Sequence, residues 1–230
     1  IKFMDVSVII PLFNESESLK ELDDWISLSF KYKDLDYEVV YIDDGSNDSS
    51  WDIIKNISQN NSNRKGISFI KNYGKSQALR VGFSEAKGKY IATLDADLQD
   101  SPEEIPLMIK KLAENDLDLI SGWKKKRHDS FITKRIPSYF FNLVARVFSG
   151  IKLNDFNCGI KVYRKEVAKS ISLYADMHRF IPILAKNQGF NRIGEHVVKH
   201  QARKYGKTKF GNERFIRGFL DIITLWFTEK

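Results

Sequence analysis

Tyr90-Ile91-Ala92-Thr93-Leu94-Asp95-Ala96-Asp97-Leu98-Gln99-Asp100 is a short apolar run that ends in two carboxylates set one residue apart. Side chains alternate along a strand, so in extended backbone Asp95 and Asp97 would project the same way. The carboxyl end of a parallel strand opens onto a ligand crevice. Magnesium or manganese held by one or two carboxylates, with phosphate oxygens completing its shell, is the usual grip on a nucleotide diphosphate. An Asp-x-Asp pair also arises by chance in surface turns, so its surroundings must decide the reading.

Working outward, apolar runs alternate with helical patterns. Val6 to Leu12 precedes a helix from Ser18 to Phe30, Tyr37 to Ile42 precedes Ser49 to Ile57, and Gly66 to Ile70 precedes Ser76 to Ala86. Tyr90 to Leu94 is followed by a helix from Pro102 to Leu112, with Ser101 as its cap, and then by the run Leu117 to Ser121. Short Val- and Ile-rich strands separated by helices predict an α/β layered fold with right-handed crossovers and a mostly parallel sheet. Beyond Ser121 come a basic stretch, a helix from Ile136 to Phe148, a strand around Cys158 to Tyr163, and helices from Lys165 and from Arg179. A late strand spans Arg192 to Val198. Asn212 to Phe227 carries Phe215, Phe219, Ile222, Ile223, Trp226 and Phe227 near helical spacing, with Arg214 and Arg217 beside them. This pattern predicts a C-terminal amphipathic helix that packs on its own domain or lies in a bilayer interface. The expected division is one domain over 1–210 followed by this helix over 211–230.

With 230 residues, 42% of them hydrophobic, the chain can bury one core. A formal net charge of +7 points to an anionic partner. The cations cluster at Lys124-Lys125-Lys126-Arg127, at Lys134-Arg135, and from Lys199 through Arg203, Lys204, Lys207 and Lys209 to Arg217. Cys158 is the only cysteine, so an internal disulfide is excluded and a reducing compartment is the simplest context. No apolar run approaches the roughly 18 residues of a spanning helix. Because the chain opens on Ile1 and stops at Lys230 just after an aromatic segment, it reads as a portion of something longer, with room for a membrane anchor beyond Lys230.

The first strand lacks a Gly-x-Gly-x-x-Gly loop and the chain lacks a P-loop, which removes the main support for nicotinamide redox and P-loop hydrolysis. Instead, acids lie at three successive strand ends: Glu15, Asp43 with Asp44, and Asp95 with Asp97. Carboxylates alone would repel phosphate. The order makes sense if the first two sets bind a base or ribose while Asp95 and Asp97 hold a metal that neutralises the diphosphate.

These motifs, in this order, resemble a family 2 glycosyltransferase of the GT-A (Rossmann-like) fold. The likeness runs through Pro11 to Glu15, Asp43 to Ser46, Asn72 to Lys75, Asp95 to Gln99 with Pro102-Glu103-Glu104, and Tyr205 to Phe210. Within that family the chain is most similar to the polyprenyl-phosphate glycosyltransferases. The resemblance implies that Pro11, Phe13, Glu15 and Asp43 bind the nucleoside, with Lys75 also at the nucleotide-sugar, and that Asp95, Ala96 and Asp97 border ribose and diphosphate. It implies that Asp97 and Gln99, with Asp95, hold Mg2+ or Mn2+, and that Lys134 or Arg135, with Arg203 and Lys209, gathers the donor and acceptor phosphates. The expected substrates are a UDP- or GDP-linked sugar and a polyprenyl phosphate, used on the cytoplasmic face of an anionic membrane with inversion at the anomeric carbon. Ser121-Gly122-Trp123 departs from the mannose synthases, which carry a basic residue after Gly-Ser; Arg127 is the candidate substitute.

Two other readings compete. A sugar or protein hydroxyl acceptor would need a base, for which Asp155 is the candidate, although an aspartate there is more commonly a helix or turn cap. A basic module that stacks nucleic acid on Phe210, Phe215 and Trp226 would not need a divalent metal; the motif order argues against nucleic acid. A processive synthase is disfavoured because Gln-x-x-Arg-Trp is absent. His128, His178, His196 and His200 show no metal-ligand spacing and are expected on the surface or satisfied in the core.

Overall fold

The computed structural model describes residues 4–31, 33–125 and 136–206, with backbone alone from 136 to 140. Its strands are β1 (Val6–Leu12), β2 (Tyr37–Asp43), β3 (Arg64–Ser68), β4 (Tyr90–Thr93), β5 (Leu119–Trp123), β6 (Lys161–Arg164) and β7 (Ile193–Val197). The helices are α1 (Ser16–Phe30), α2 (Ser50–Asn60), α3 (Lys75–Glu85), α4 (Glu104–Glu114), α5 (Ile136–Ser149), α6 (Lys165–Ser170) and α7 (Ile181–Asn187), with a 3-10 turn at Met177–Phe180 before the last. The strands form one sheet in the order β3-β2-β1-β4-β6-β5-β7.

Alternation along β1 explains the layers. Val6, Val8, Ile10 and Leu12 pack with Leu19, Leu22 and Ile26 of α1 and Met108 and Leu112 of α4. Ile9 points the other way, toward Leu79 and Phe83 of α3, Val167 of α6 and Leu184 of α7. Both faces of the sheet are therefore covered, which is why its central strands read as continuous apolar runs.

The mostly parallel sheet matches the expectation, with one exception. β6 runs antiparallel between β4 and β5, pairing Ile91 with Tyr163 and Ile120 with Val162. An apolar run carries no sign of its direction, so only the tertiary structure reveals this. Three local expectations are corrected. The third strand begins two residues earlier than expected, because Arg64 pairs with Val39; the expected last residue, Ile70, lies outside it and is 93% exposed. The sixth strand begins at Lys161 rather than Cys158. Ser101 does not cap α4 through its side chain: a turn over Pro102 and Glu103 comes first, Glu104 N–H donates to the Ser101 carbonyl, and Ser101 Oγ is buried without a hydrogen-bond partner.

Candidate active site

The carboxyl ends of β1, β2 and β4 lie side by side because these strands are parallel neighbours. Their loops are laced together. Asn14 N–H donates to Ser46 Oγ (2.8 Å), Asn47 N–H to Asn14 Oδ1 (2.7 Å) and Glu15 N–H to Ser50 Oγ (3.0 Å). Asp43 is buried and accepts from Ser46 N–H at 3.0 Å and Ser68 Oγ at 3.2 Å. Asp44 turns toward the start of α3, accepting from Tyr73 N–H (2.7 Å) and Gly74 N–H (2.9 Å). Gly45, at φ +73°, lies so close to the Lys71 backbone that a Cβ would overlap it.

β4 ends at Thr93, so Asp95 and Asp97 sit in the turn beyond it and strand alternation is not what aims them. The turn is set by Leu98 in the left-handed region (φ +60°) and by Gln99 N–H donating to Asp97 Oδ1 at 3.2 Å. Asp95 pairs with Lys75, the first residue of α3. Asp97 Oδ2 accepts from Arg203 at 2.8 Å, and the same guanidinium reaches Glu15 Oε1 at 3.4 Å. Glu15, Lys75, Asp95, Asp97 and Arg203 thus form one charged cluster at the strand ends. Pro11 and Ala96 are buried beside it and Phe13 is half-buried.

Arg203 arrives there because the segment after β7 is fastened to the 97–100 turn. Gln201 N–H donates to the Gln99 carbonyl (2.9 Å), Gln201 Nε2 to the Leu98 carbonyl (2.6 Å), and Gln99 Nε2 makes a long return contact to the Gln201 carbonyl (3.5 Å). His200 Nδ1 lies 3.2 Å from Asp100 Oδ1, which also pairs with Lys124 at 2.8 Å. On the other flank, His178 N–H donates to Ser76 Oγ (3.0 Å) and its Nδ1 lies 3.1 Å from the same oxygen, next to Lys75.

The two central acids titrate in opposite directions. Burial pushes Asp95 up, but Lys75, with Lys124 and His178, outweighs it and holds the carboxyl well below its ordinary value. Burial and the charge of Asp95 raise Asp97, and Arg203 offsets them only in part. Burial alone would lower Lys124, yet Asp100 and neighbouring groups hold it well above the usual range. Behind the site, burial lowers Lys161, whose ammonium donates to the Cys158 carbonyl.

Asp97 is raised first by burial and second by the charge of Asp95, and a divalent cation between the two carboxylates would relieve their repulsion. Asp95, Asp97 and Gln99 offer the hard oxygen donors that Mg2+ or Mn2+ takes. Among the described residues no group of three His, Cys, Asp or Glu side chains could hold a metal alone. Mg2+ bound through one or two carboxylates takes the rest of its shell from phosphate oxygens and water, and Asp95, Asp97 and Gln99 are a donor set of that kind.

Of the residues singled out from sequence, the structure gathers Pro11, Phe13, Glu15, Asp43, Lys75, Asp95, Ala96, Asp97, Gln99 and Arg203 around this region. Arg127, Lys134, Arg135, Lys209 and the helix expected from Asn212 lie outside the described residues. Asp155 is 1% exposed and its Oδ1 accepts from Asn157 N–H at 3.2 Å, the turn-capping arrangement. The sequence reading missed Lys124, His200 and Gln201, which fasten the Asp97 turn, and Ser76 with His178. The lysine cluster at 124 was the only signal for any of them; the histidines touch partners about a hundred residues away and carry no local motif.

The model of glycosyl transferase family 2 matches residues 7–172, from β1 through α6. The chain belongs to this family. It is 34% identical over 229 residues to dodecaprenyl-phosphate galacturonate synthase of Rhizobium johnstonii, covering 99% of this chain and 68% of that protein. It is 36% identical to undecaprenyl-phosphate 4-deoxy-4-formamido-L-arabinose transferase of Pseudomonas syringae (97% of this chain, 65% of that protein) and 38% identical to the Shewanella sediminis protein of the same name (95% and 66%). The chain thus spans about two thirds of the length of these relatives. Among solved structures, glucosyl-3-phosphoglycerate synthase of Mycobacterium tuberculosis in complex with UDP superposes with a TM-score of 0.72 at 17% identity, over 96% of this chain and 80% of that one. The same enzyme with Mn2+, UDP-glucose and phosphoglyceric acid gives 0.69 at 18% identity, over 96% and 80%. These structures share the GT-A fold of the family 2 chain described above.

Proposed function

We propose that this family 2 glycosyltransferase moves a sugar from a nucleoside diphosphate to a polyprenyl phosphate, with inversion and with a divalent metal. The observation that carries the reading is the convergence of Glu15, Asp95 and Asp97 with Lys75 and Arg203 at the carboxyl ends of parallel strands. Acids suited to a metal and cations suited to phosphate stand within one cluster. The names of the relatives, all of which specify a polyprenyl phosphate, support the acceptor class.

In this reading Pro11, Phe13, Glu15 and Asp43 receive the nucleoside, while Lys75 and the Asp95-Ala96-Asp97 turn border ribose and diphosphate. Asp97 and Gln99, with Asp95, would hold Mg2+ or Mn2+, which when bound neutralises the departing diphosphate. Arg203 supplies positive charge where two anions must meet, with Lys209 and Lys134 or Arg135 as its expected helpers. A phosphate monoester is already a nucleophile at neutral pH, so the site needs no strong base; its task is to align the acceptor oxygen in line with the anomeric carbon. The buried, turn-capping position of Asp155 favours this phosphate acceptor over a hydroxyl. The enzyme would work from the cytoplasmic face of the membrane, with 1–210 as the catalytic domain and 211–230 as an interfacial helix. Among the described residues no helix is long and apolar enough to cross a bilayer.

The test is donor turnover across UDP- and GDP-sugars, with manganese or chelator, with and without undecaprenyl phosphate. Lipid-dependent, chelator-sensitive release of one nucleoside diphosphate is expected. Release that ignores the lipid but responds to a sugar hydroxyl would overturn the acceptor assignment.

A further inference from the structure

Arg203 is the one cation that the described structure places directly on Asp97. Its guanidinium spans Asp97 Oδ2 (2.8 Å) and Glu15 Oε1 (3.4 Å), and the three side chains are 21%, 13% and 12% exposed. A guanidinium has donors and no acceptors, and here the acceptors it meets are two carboxylates. The proposed function asks Arg203 for phosphate and Asp97 for a divalent cation. Both demands cannot be met while the two hold each other: a cation on Asp97 would face the guanidinium at close range, in a setting where charges are poorly screened.

We propose that Arg203 has two alternative partners: it is a counter-ion of Asp97 that the incoming divalent cation displaces toward the phosphates. Rested on the proposed function, this makes metal loading and delivery of the arginine a single event, and it orders the binding steps, donor with metal before acceptor phosphate. The structure confines the exchange to the side chain. Gln201 is fastened to Leu98 and Gln99, and His200 to Asp100, so the backbone just before Arg203 is anchored to the same turn that carries Asp97. Glu15 offers the second contact along which the guanidinium can slide off Asp97 without crossing to solvent.

The displacement predicts an unusual pairing of effects: removing Arg203 should improve metal binding while it harms transfer. Mn2+ alone, with no nucleotide, is titrated into the full chain by calorimetry and by electron paramagnetic resonance. In Arg203→Ala the competitor is gone, and Mn2+ should bind about 10-fold more tightly than in wild type, the scale of a lost charge-assisted pair. Arg203→Lys, which keeps the charge but loses the fork, should fall between them. Asp97→Asn should lose the site. Mn2+ affinity that is unchanged or weaker in Arg203→Ala, while still dependent on Asp97, would sink the displacement and leave the metal assignment standing. Mn2+ binding that ignores Asp97→Asn would take down both. Thermal melting accompanies each variant, and Arg203→Met, which keeps the apolar stem, replaces the alanine variant if that one is unfolded.

Discussion

Asp95 and Asp97 are neighbours with opposite fates. Lys75 and its companions keep Asp95 ionised, whereas Asp97 is raised by burial and by Asp95 itself. This division depends on a residue with no side chain. A Cβ built on Gly159 would overlap the Asp95 carboxylate, and the Gly159 carbonyl accepts from Thr93 Oγ1 at 2.8 Å, so the glycine cannot back away. Gly159→Ala should push Asp95 off Lys75 and weaken nucleoside-diphosphate binding about 10-fold, as expected for one lost charge-assisted contact. Calorimetry with UDP and GDP measures this, and donor affinity equal to wild type would show that Asp95 is not held by the space at Gly159. Gly159 falls outside every motif the sequence offered, since a glycine required by close approach looks the same on paper as one in any turn.

At the scale of elements, α3 is aimed by its N-terminal turn. Asp44 receives Tyr73 and Gly74 N–H from one side, and Ser76 is met by His178 from the other. Between them Lys75 is brought to Asp95. Asp44→Ala removes the acceptor of two part-buried N–H groups and should cost about 1 kcal/mol of stability in urea denaturation. If Lys75 binds the donor as proposed, the variant should raise the donor KM more than it lowers kcat; a loss confined to kcat would contradict that role. The central strands β1, β2 and β4 were legible as apolar runs because both sheet faces are covered there. The Asp43-Asp44 pair was legible as a strand-end feature but not as two separate tasks, one closing its own loop and the other capping the next. The direction of β6 was illegible, since the polar-apolar-apolar-polar order of Lys161-Val162-Tyr163-Arg164 reads the same whichever way it runs.

At the scale of the whole molecule, the sheet is closed at β7 by charge as well as by pairing. Asp118, at the mouth of β5, accepts from Arg192 N–H at 3.0 Å and from its guanidinium at 2.6 Å. Burial opposes ionisation of Asp118, but Arg192 outweighs it and holds the carboxyl below its ordinary 3.8. A group whose pKa is depressed on folding stabilises the native state above its unfolded value and loses that contribution as pH falls through the folded one. Asp118 should therefore contribute fully near neutrality, begin to lose that contribution below about pH 4 and lose all of it only below its depressed folded pKa, a small amount because Arg192 is half exposed. Asp118→Asn should flatten the acid limb of stability against pH by that amount; an acid limb identical to wild type would show that the pair contributes nothing. The basic excess of the chain was plain from composition, but which cations serve structure was not: Arg192 and Lys124 secure the fold, and Lys75 and Arg203 face the strand-end acids.

The reversed sixth strand has a topological consequence. Because β5 and β6 are antiparallel neighbours, the chain leaves the sheet after Trp123 and re-enters it at Lys161 on the same rim, the rim that carries Asp97. Everything between, α5 included, is an excursion whose two ends are hinged side by side. Such an insert can be lengthened or shortened without rethreading a single strand, so changes there leave the strand-end cluster of Glu15, Asp95 and Asp97 on its own strands.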